Sequence, residues 1–239
     1  MKALSIVGYK NSGKTGLAVK LAQALNRAGL KVAAAKSSHH GLDKEDTDTD
    51  KLLSLCTAVV GFGPGETAVF WPKKRYVSQL RGLMDADFLI VEGGKQMGWL
   101  PRVVVPTSVQ DLVELEQGLS VAVYDPEAKF VSDNHGGPVV VRDVDELARI
   151  AQEKGFSLPD LNCGDCGRED CRALAREIVA GKASLTDCRA VRGDFSITIN
   201  GQELAMKGFV RDIVSASIKG MLSELKGFQP GIVNIRMEV

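Results

Sequence analysis

The sequence predicts an α/β protein: a mostly parallel sheet covered by helices, followed by a small α+β region built around cysteines. Three observations carry this. Short, nearly continuous apolar runs alternate with stretches of helical periodicity over the first two-thirds of the chain, the pattern of strands buried on both faces. A glycine-rich turn, residues 8–15, stands between the first apolar run and the first periodic helix. Four of the five cysteines, Cys163, Cys166, Cys171 and Cys188, fall in one late segment.

Residues 3–7 read as the first strand, ending at Gly8. Beyond it, Leu17, Leu21, Leu25 and Ala28 recur at helical spacing, and Gly29 stops the helix. Residues 31–36 read as the second strand, and further strand-like runs lie at 58–62, 68–71, 88–91, 102–105, 121–124 and 139–141. Residues 76–84 and 143–154 are expected as helices, the second burying Val144, Leu147, Ala148 and Ile150. A Gly-Phe-Ser-Leu-Pro stretch then predicts a boundary, with one domain over 1–157 and a cysteine domain over 158–239. In the latter, 195–199 and 202–206 flank Asn200 and Gly201, a hairpin signal. An amphipathic helix follows, with Val210, Ile213, Val214, Ser217, Ile218, Met221 and Leu225 on one stripe, and an alternating strand over 232–237 closes the chain.

Thirty Lys and Arg balance thirty Asp and Glu, so bulk charge argues for neither a nucleic-acid partner nor a membrane surface. The first residues are no secretory signal, because the apolar run is short and a folded-domain motif begins at once. No apolar stretch reaches bilayer length. The expected location is the cytoplasm, where clustered cysteines mean metal or redox chemistry rather than disulfides.

Gly8-Tyr9-Lys10-Asn11-Ser12-Gly13-Lys14-Thr15 has glycine, four residues, glycine, lysine and a hydroxyl residue, the Walker A pattern of a P-loop nucleotide-binding protein. The glycines let successive amides converge on one anion. The helix after Gly13 adds its positive end. Lys14 can reach the β- and γ-phosphates and Thr15 can ligate magnesium. Gly8, Lys10, Asn11, Ser12, Gly13, Lys14, Thr15 and Gly16 are therefore the expected nucleotide contacts. Glu92 stands at the C-terminal end of a buried run, where ligands bind in open α/β sheets, and is a candidate for the magnesium. The acidic run over 43–50 is either a second magnesium contact or a solvated charge run. His39 and His40 are either phosphate or partner contacts or the cap of the second strand. No Asn-Lys-x-Asp segment reads guanine, so the residues leave ATP and GTP both open, and no arginine finger or water-positioning residue can be named, so any P-loop hydrolysis is at most slow.

Cys163 and Cys166 are separated by two residues, Cys171 follows after four more and Cys188 after sixteen. Four thiolates suit a [4Fe–4S] cluster. A tetrahedral zinc site is the competitor, although its usual arrangement is two Cys-x-x-Cys pairs and the chain has one. Cys56 reads as a small buried hydrophobe.

The phosphate loop, the Lys36-Ser-Ser-His39-His40 segment, the Asp46-Thr-Asp48-Thr-Asp50 run and Val91-Glu92-Gly93-Gly94-Lys95 occur in that order. Together they resemble the molybdopterin-guanine dinucleotide biosynthesis protein B (MobB) family over roughly the first 150 residues. The resemblance implies GTP with magnesium, Asp48 or Asp50 beside Glu92 at the metal, and a homodimer. It also implies an accessory role in molybdenum or tungsten cofactor formation, with a molybdopterin guanylyltransferase or molybdoenzyme maturation factor as partner. From Cys163 onward the chain is similar to the four-cysteine [4Fe–4S] domain of certain electron-transfer subunits, through Cys-Gly-x-Cys-Gly, Cys171-Arg-x-Leu-Ala, Ile178-Val-x-Gly181 and Asp187-Cys188. This second likeness admits an alternative: a nucleotide-gated iron–sulfur metallochaperone or electron-transfer partner.

Overall fold

The computed structural model describes residues 1–38, 47–129, 137–191, 195–200, 202–229, 231, 233–235 and 237–238. His39, His40 and the acidic residues 43–46 lie outside them. The chain runs β1 (Lys2–Val7), α1 (Lys14–Arg27), β2 (Val32–Lys36), α2 (Asp48–Leu53), β3 (Val59–Phe62), β4 (Thr67–Phe70), α3 (Val77–Leu80), β5 (Phe88–Glu92), β6 (Arg102–Val104), α4 (Val109–Glu116), β7 (Ser120–Tyr124), β8 (Val139–Val141), α5 (Val144–Lys154), α6 (Cys171–Val179), β9 (Thr198–Ile199), β10 (Gln202–Glu203) and α7 (Gly208–Ser223).

Six strands form one sheet in the order β2-β5-β1-β6-β7-β8, and every neighbouring pair is parallel. Alternation along each strand sorts side chains to the two faces. Leu4, Ile6, Phe88, Ile90, Val103 and Ala122 meet Leu17, Leu21 and Leu25 of α1 and Leu147, Ala148 and Ala151 of α5 in one cluster. On the opposite face, Val7, Val104 and Val123 pack with Leu115 of α4. Beside them Ala3, Leu89 and Val91 join Trp99, Leu100, Leu119, Phe156 and Leu158 and, from the cysteine segment, Cys171, Leu174, Ala175 and Cys188. The cysteine segment thus shares apolar packing with the sheet; burying a leucine such as Leu174 is worth about 1.5–3 kcal/mol.

The helices α2, α4, α5 and α6 begin with side-chain caps, from Thr47, Ser108, Asp143 and Asp170 respectively. The first of them, α2, places Asp48 and Asp50 in its opening turn rather than on an open loop.

Several elements differ from expectation. Among the described residues, β3 and β4 pair antiparallel with each other, apart from the parallel sheet. The turn over 63–66, closed by the Gly63 amide on the Glu66 carbonyl at 2.9 Å, is far too short for a parallel crossover. The helix expected over 76–84 is a four-residue α3 and a 3₁₀ turn, Arg81–Leu83. α4 was not anticipated. The hairpin pairs only two residues per strand. Within the expected final strand, residues 232 and 236 lie outside the described residues and 233–235 carry no strand. Along α7, Ile213 and Met221 are exposed, as is Leu225 just past its end, whereas Gly208 and Arg211 are buried; the helix is anchored at its N-terminal end. Cys56 is exposed, so it is not the buried hydrophobe expected. No helix among the described residues is long and apolar enough to cross a membrane.

Candidate functional site

β1 ends at Val7 and the chain turns through residues 8–13 into α1. Gly8 is buried, and a Cβ there would lie 2.4 Å from the Ser12 hydroxyl and 2.6 Å from the Val105 carbonyl oxygen, so only glycine permits this approach. Asn11 and Gly13 both take positive φ, 64° and 86°, and the Ser12 amide donates to the Tyr9 carbonyl at 3.3 Å. α1 begins at Gly13 with no side-chain cap, which leaves its first amides for an incoming anion.

The Lys14 ammonium folds back onto the loop, donating to the Tyr9 carbonyl and, at 3.3 Å, to the Ser12 hydroxyl. Burial pushes its pKa below the ordinary lysine value; Glu92 pulls the other way, and the charges of Lys95 and Lys36 add to the fall. β5 pairs directly with β1 and sets Ile6 beside Glu92. The Thr15 hydroxyl accordingly donates to Glu92 Oε1 at 2.7 Å, and Lys36 at the end of β2 reaches the same oxygen at 3.5 Å. Phosphate loop, lysine, threonine and acidic strand end thus meet at the carboxyl edge of the sheet.

Asp48 and Asp50 are exposed. The charges that move the Lys14 pKa are Glu92, Lys95 and Lys36. Thr47 accepts from the Asp50 amide at 3.2 Å, and carboxylates in a first helical turn are favoured by the helix dipole.

Residues that sequence reasoning missed surround the loop. Tyr9 donates its hydroxyl to Glu114 of α4, and the Lys95 ammonium stands 3.4 Å from the centre of the Tyr9 ring. Arg102, at 0% exposure, donates to the carbonyls of Leu115 at 3.0 Å, Met97 at 3.1 Å and Lys95 at 3.2 Å. Burial lowers its pKa to about 10. A lone arginine opening an apolar run was the available signal.

The four cysteines line one pocket with Pro159, Leu161, Gly164, Asp170, Leu174, Arg189 and Ala190. Gly164, at φ 74°, and Gly167, at φ 79°, turn the chain around it, and the Gly167 amide closes on the Gly164 carbonyl at 2.8 Å. Burial pushes the Cys171 and Cys188 thiols up. Against this, backbone amides of Asn162 and Leu161 bond to Cys171, and those of Val191 and Ala190 to Cys188. α7 braces the rim: the Gly208 amide donates to Asp165 at 2.5 Å, and Arg211 to the Ala190 carbonyl at 2.6 Å. Among the described residues no three His, Cys, Asp or Glu close on a point as single-ion ligands do; the thiols frame a pocket instead. Four thiols with amide donors at two sulfurs fit the ligand needs of an iron–sulfur cluster.

A parallel sheet whose first strand runs into this glycine-rich turn defines the P-loop class, here with a four-cysteine pocket built onto the sheet. The chain belongs to the MobB family, described as molybdopterin guanine dinucleotide synthesis protein B, whose model matches residues 3–123. A second family model, described as "Putative Fe-S cluster", matches residues 158–190, the span holding all four cysteines. Among curated relatives, the "Putative molybdopterin-guanine dinucleotide biosynthesis adapter protein" of Methanocaldococcus jannaschii is 26% identical, over 100% of this chain and 98% of its own. The "Probable molybdopterin-guanine dinucleotide biosynthesis adapter protein" of Bacillus subtilis is 26% identical over 59% of this chain and 85% of its own. In fold, the crystal structure of Bacillus subtilis MobB superposes with a TM-score of 0.53 at 19% identity, covering 64% of this chain and 97% of that one.

Proposed function

We propose that this chain is a GTP-binding adapter in molybdopterin guanine dinucleotide formation, serving a molybdenum or tungsten cofactor, with an iron–sulfur centre as part of its body. The observation that carries the nucleotide half is the Thr15–Glu92 hydrogen bond at 2.7 Å. It puts a hydroxyl and a carboxylate together at the mouth of an uncapped helix, the pair that holds magnesium beside a triphosphate. In this reading the amides of residues 8–16 take the phosphates, Lys14 the β- and γ-oxygens, and Thr15 with Glu92 the metal. Asp48 and Asp50 serve as outer magnesium contacts if α2 swings in. The family match and the names of the two curated relatives support the pathway and the choice of guanine.

Cys163, Cys166, Cys171 and Cys188 would hold a [4Fe–4S] cluster, which supplies one-electron chemistry when bound; zinc is the competing occupant. The packing of α6 with the sheet favours a gating relation between nucleotide and metal centre. The boundary near residue 157 then separates two lengths of sequence rather than two independent bodies. The β3–β4 ribbon exposes Val60, Phe62 and Val69 and is the surface for a homodimer; Phe62→Ser would then shift sedimentation to the monomer with no change in melting.

Calorimetric titration of anaerobically prepared protein with magnesium tests the nucleotide half. GTP binds more tightly than ATP, and Lys14→Ala loses about a hundredfold in affinity. Tighter ATP binding, or an unaltered Lys14→Ala, refutes it. Iron and labile sulfide analysis tests the other half, and one zinc per chain without sulfide refutes the cluster.

A further inference from the structure

The loop over 93–98 has no role in the site so far, yet it touches both centres. It leaves β5 through Gly93 and Gly94, at φ 85° and 71°, and its three central residues face two ways. Toward the phosphate loop, the Lys95 ammonium rests on the Tyr9 ring, with no salt bridge among the described residues, although the Asp111 and Glu114 carboxylates also act on its charge. Its charge acts on Lys14. Two cations held within reach of one another repel until an anion enters between them, when the same placement turns attractive. An aromatic face holds an exposed ammonium only weakly, less than a phosphate would, so the ring is a resting place the cation can leave.

Toward the cysteines, the backbone of the same loop is gripped. Arg102 takes the Lys95 and Met97 carbonyls. Arg172, next in sequence to Cys171, takes the Gln96 carbonyl at 2.6 Å and the Gln117 side chain at 2.9 Å. Arg176 of the same helix takes the Gln117 carbonyl at 2.8 Å. The fit is close: a Cβ on Gly98 would lie 2.6 Å from the Arg172 Cβ.

We propose that Lys95 is a second phosphate-binding cation of the loop site, and that Arg172, by fixing its backbone, ties phosphate affinity to the state of the cysteine helix. This rests on the nucleotide reading above. Lys95 meets the Tyr9 ring and Lys14 the Tyr9 carbonyl, so both cations are assigned to the outer phosphates, where a triphosphate offers a group that a diphosphate lacks. Linkage is reciprocal: if metal loading stiffens α6, it strengthens GTP binding, and GTP in turn slows metal loss.

The experiment titrates the full chain, iron-loaded and iron-stripped, with GTP and with GDP in magnesium. Lys95→Met loses about tenfold in GTP affinity and less than about threefold in GDP affinity; Lys95→Arg retains most of both. A merely structural lysine would not separate the two nucleotides. Iron-stripping weakens GTP binding in the wild type, and Arg172→Gln and the milder Arg172→Lys erase that difference. Lys95→Met binding GTP as the wild type does, while Lys14→Ala fails, overturns the Lys95 role and leaves the nucleotide reading standing. A wild type that binds neither nucleotide overturns both. Equal GTP affinity with and without iron overturns the link through Arg172.

Discussion

The two faces of the central sheet are covered by different means. One face is closed by α1 and α5 with leucine and alanine, side chains whose only work is to leave water. The other is closed partly by α4 and partly by a segment in which Cys171 and Cys188 stand among Leu174, Ala175 and Trp99. This second face depends on residues whose chemistry extends beyond packing, so a change at the cysteines reaches the strands that carry the phosphate loop and Glu92. The lesson is that a segment following the sheet in sequence can share its core rather than stand apart from it.

Matched core truncations sharpen this comparison most. Leu147→Ala and Leu174→Ala each remove a fully buried leucine and each cost about 2–5 kcal/mol in denaturant unfolding. Only Leu174→Ala also lowers the iron bound per chain; equal iron in both variants would break the contrast. A smaller effect separates the cysteines themselves. Serine at Cys188 or at Cys163 is expected to lose iron, although Cys188 is buried and Cys163 half-exposed. Stripped of metal, however, Cys188→Ser is the less stable by about 1–3 kcal/mol, because a hydroxyl is then buried among apolar groups. Equal melting of the two stripped variants would contradict that.

The smallest effect is the pH response of the phosphate loop. Burial lowers the Lys14 pKa from its ordinary 10.5, and the charged form is the one that binds phosphate. Affinity for GTP is therefore full at neutral pH and falls as pH rises through the lowered pKa, earlier than for a free lysine. Affinity that rises between neutral and alkaline pH would show that this ammonium is not the contact.

Much of the fold was legible because strand and helix signals are local. The runs at 3–7, 88–91, 102–105 and 121–124 became adjacent strands, and the Leu17-Leu21-Leu25 stripe became the buried face of α1. The loop Gly8 to Thr15 and the placing of Glu92 beside it were readable for the same reason: a motif fixes a turn, and a strand end fixes an edge. The ribbon of β3 and β4 was misplaced because composition alone does not state its partner. The short turn between them did, and its length was the overlooked signal. Of the missed residues, Tyr9, Lys95 and Arg172 act through contacts more than 70 positions apart, which no local pattern encodes, whereas Arg102, five residues from Met97, left one local signal, a lone arginine at the head of an apolar run. α7 reads as a well-formed amphipathic helix, yet its stripe meets little of the described chain, since amphipathicity shows that a face can be covered and not by what.

The central claim is that the cysteine segment and the phosphate-loop sheet are one cooperative body. Scanning calorimetry of the full chain under anaerobic conditions, with and without prior removal of metal by a chelator, tests it most directly. The expected result is a single main transition that moves as a whole to lower temperature when the metal is taken away. Two transitions, of which only the smaller responds to the chelator, would mean that the shared core does not couple the parts.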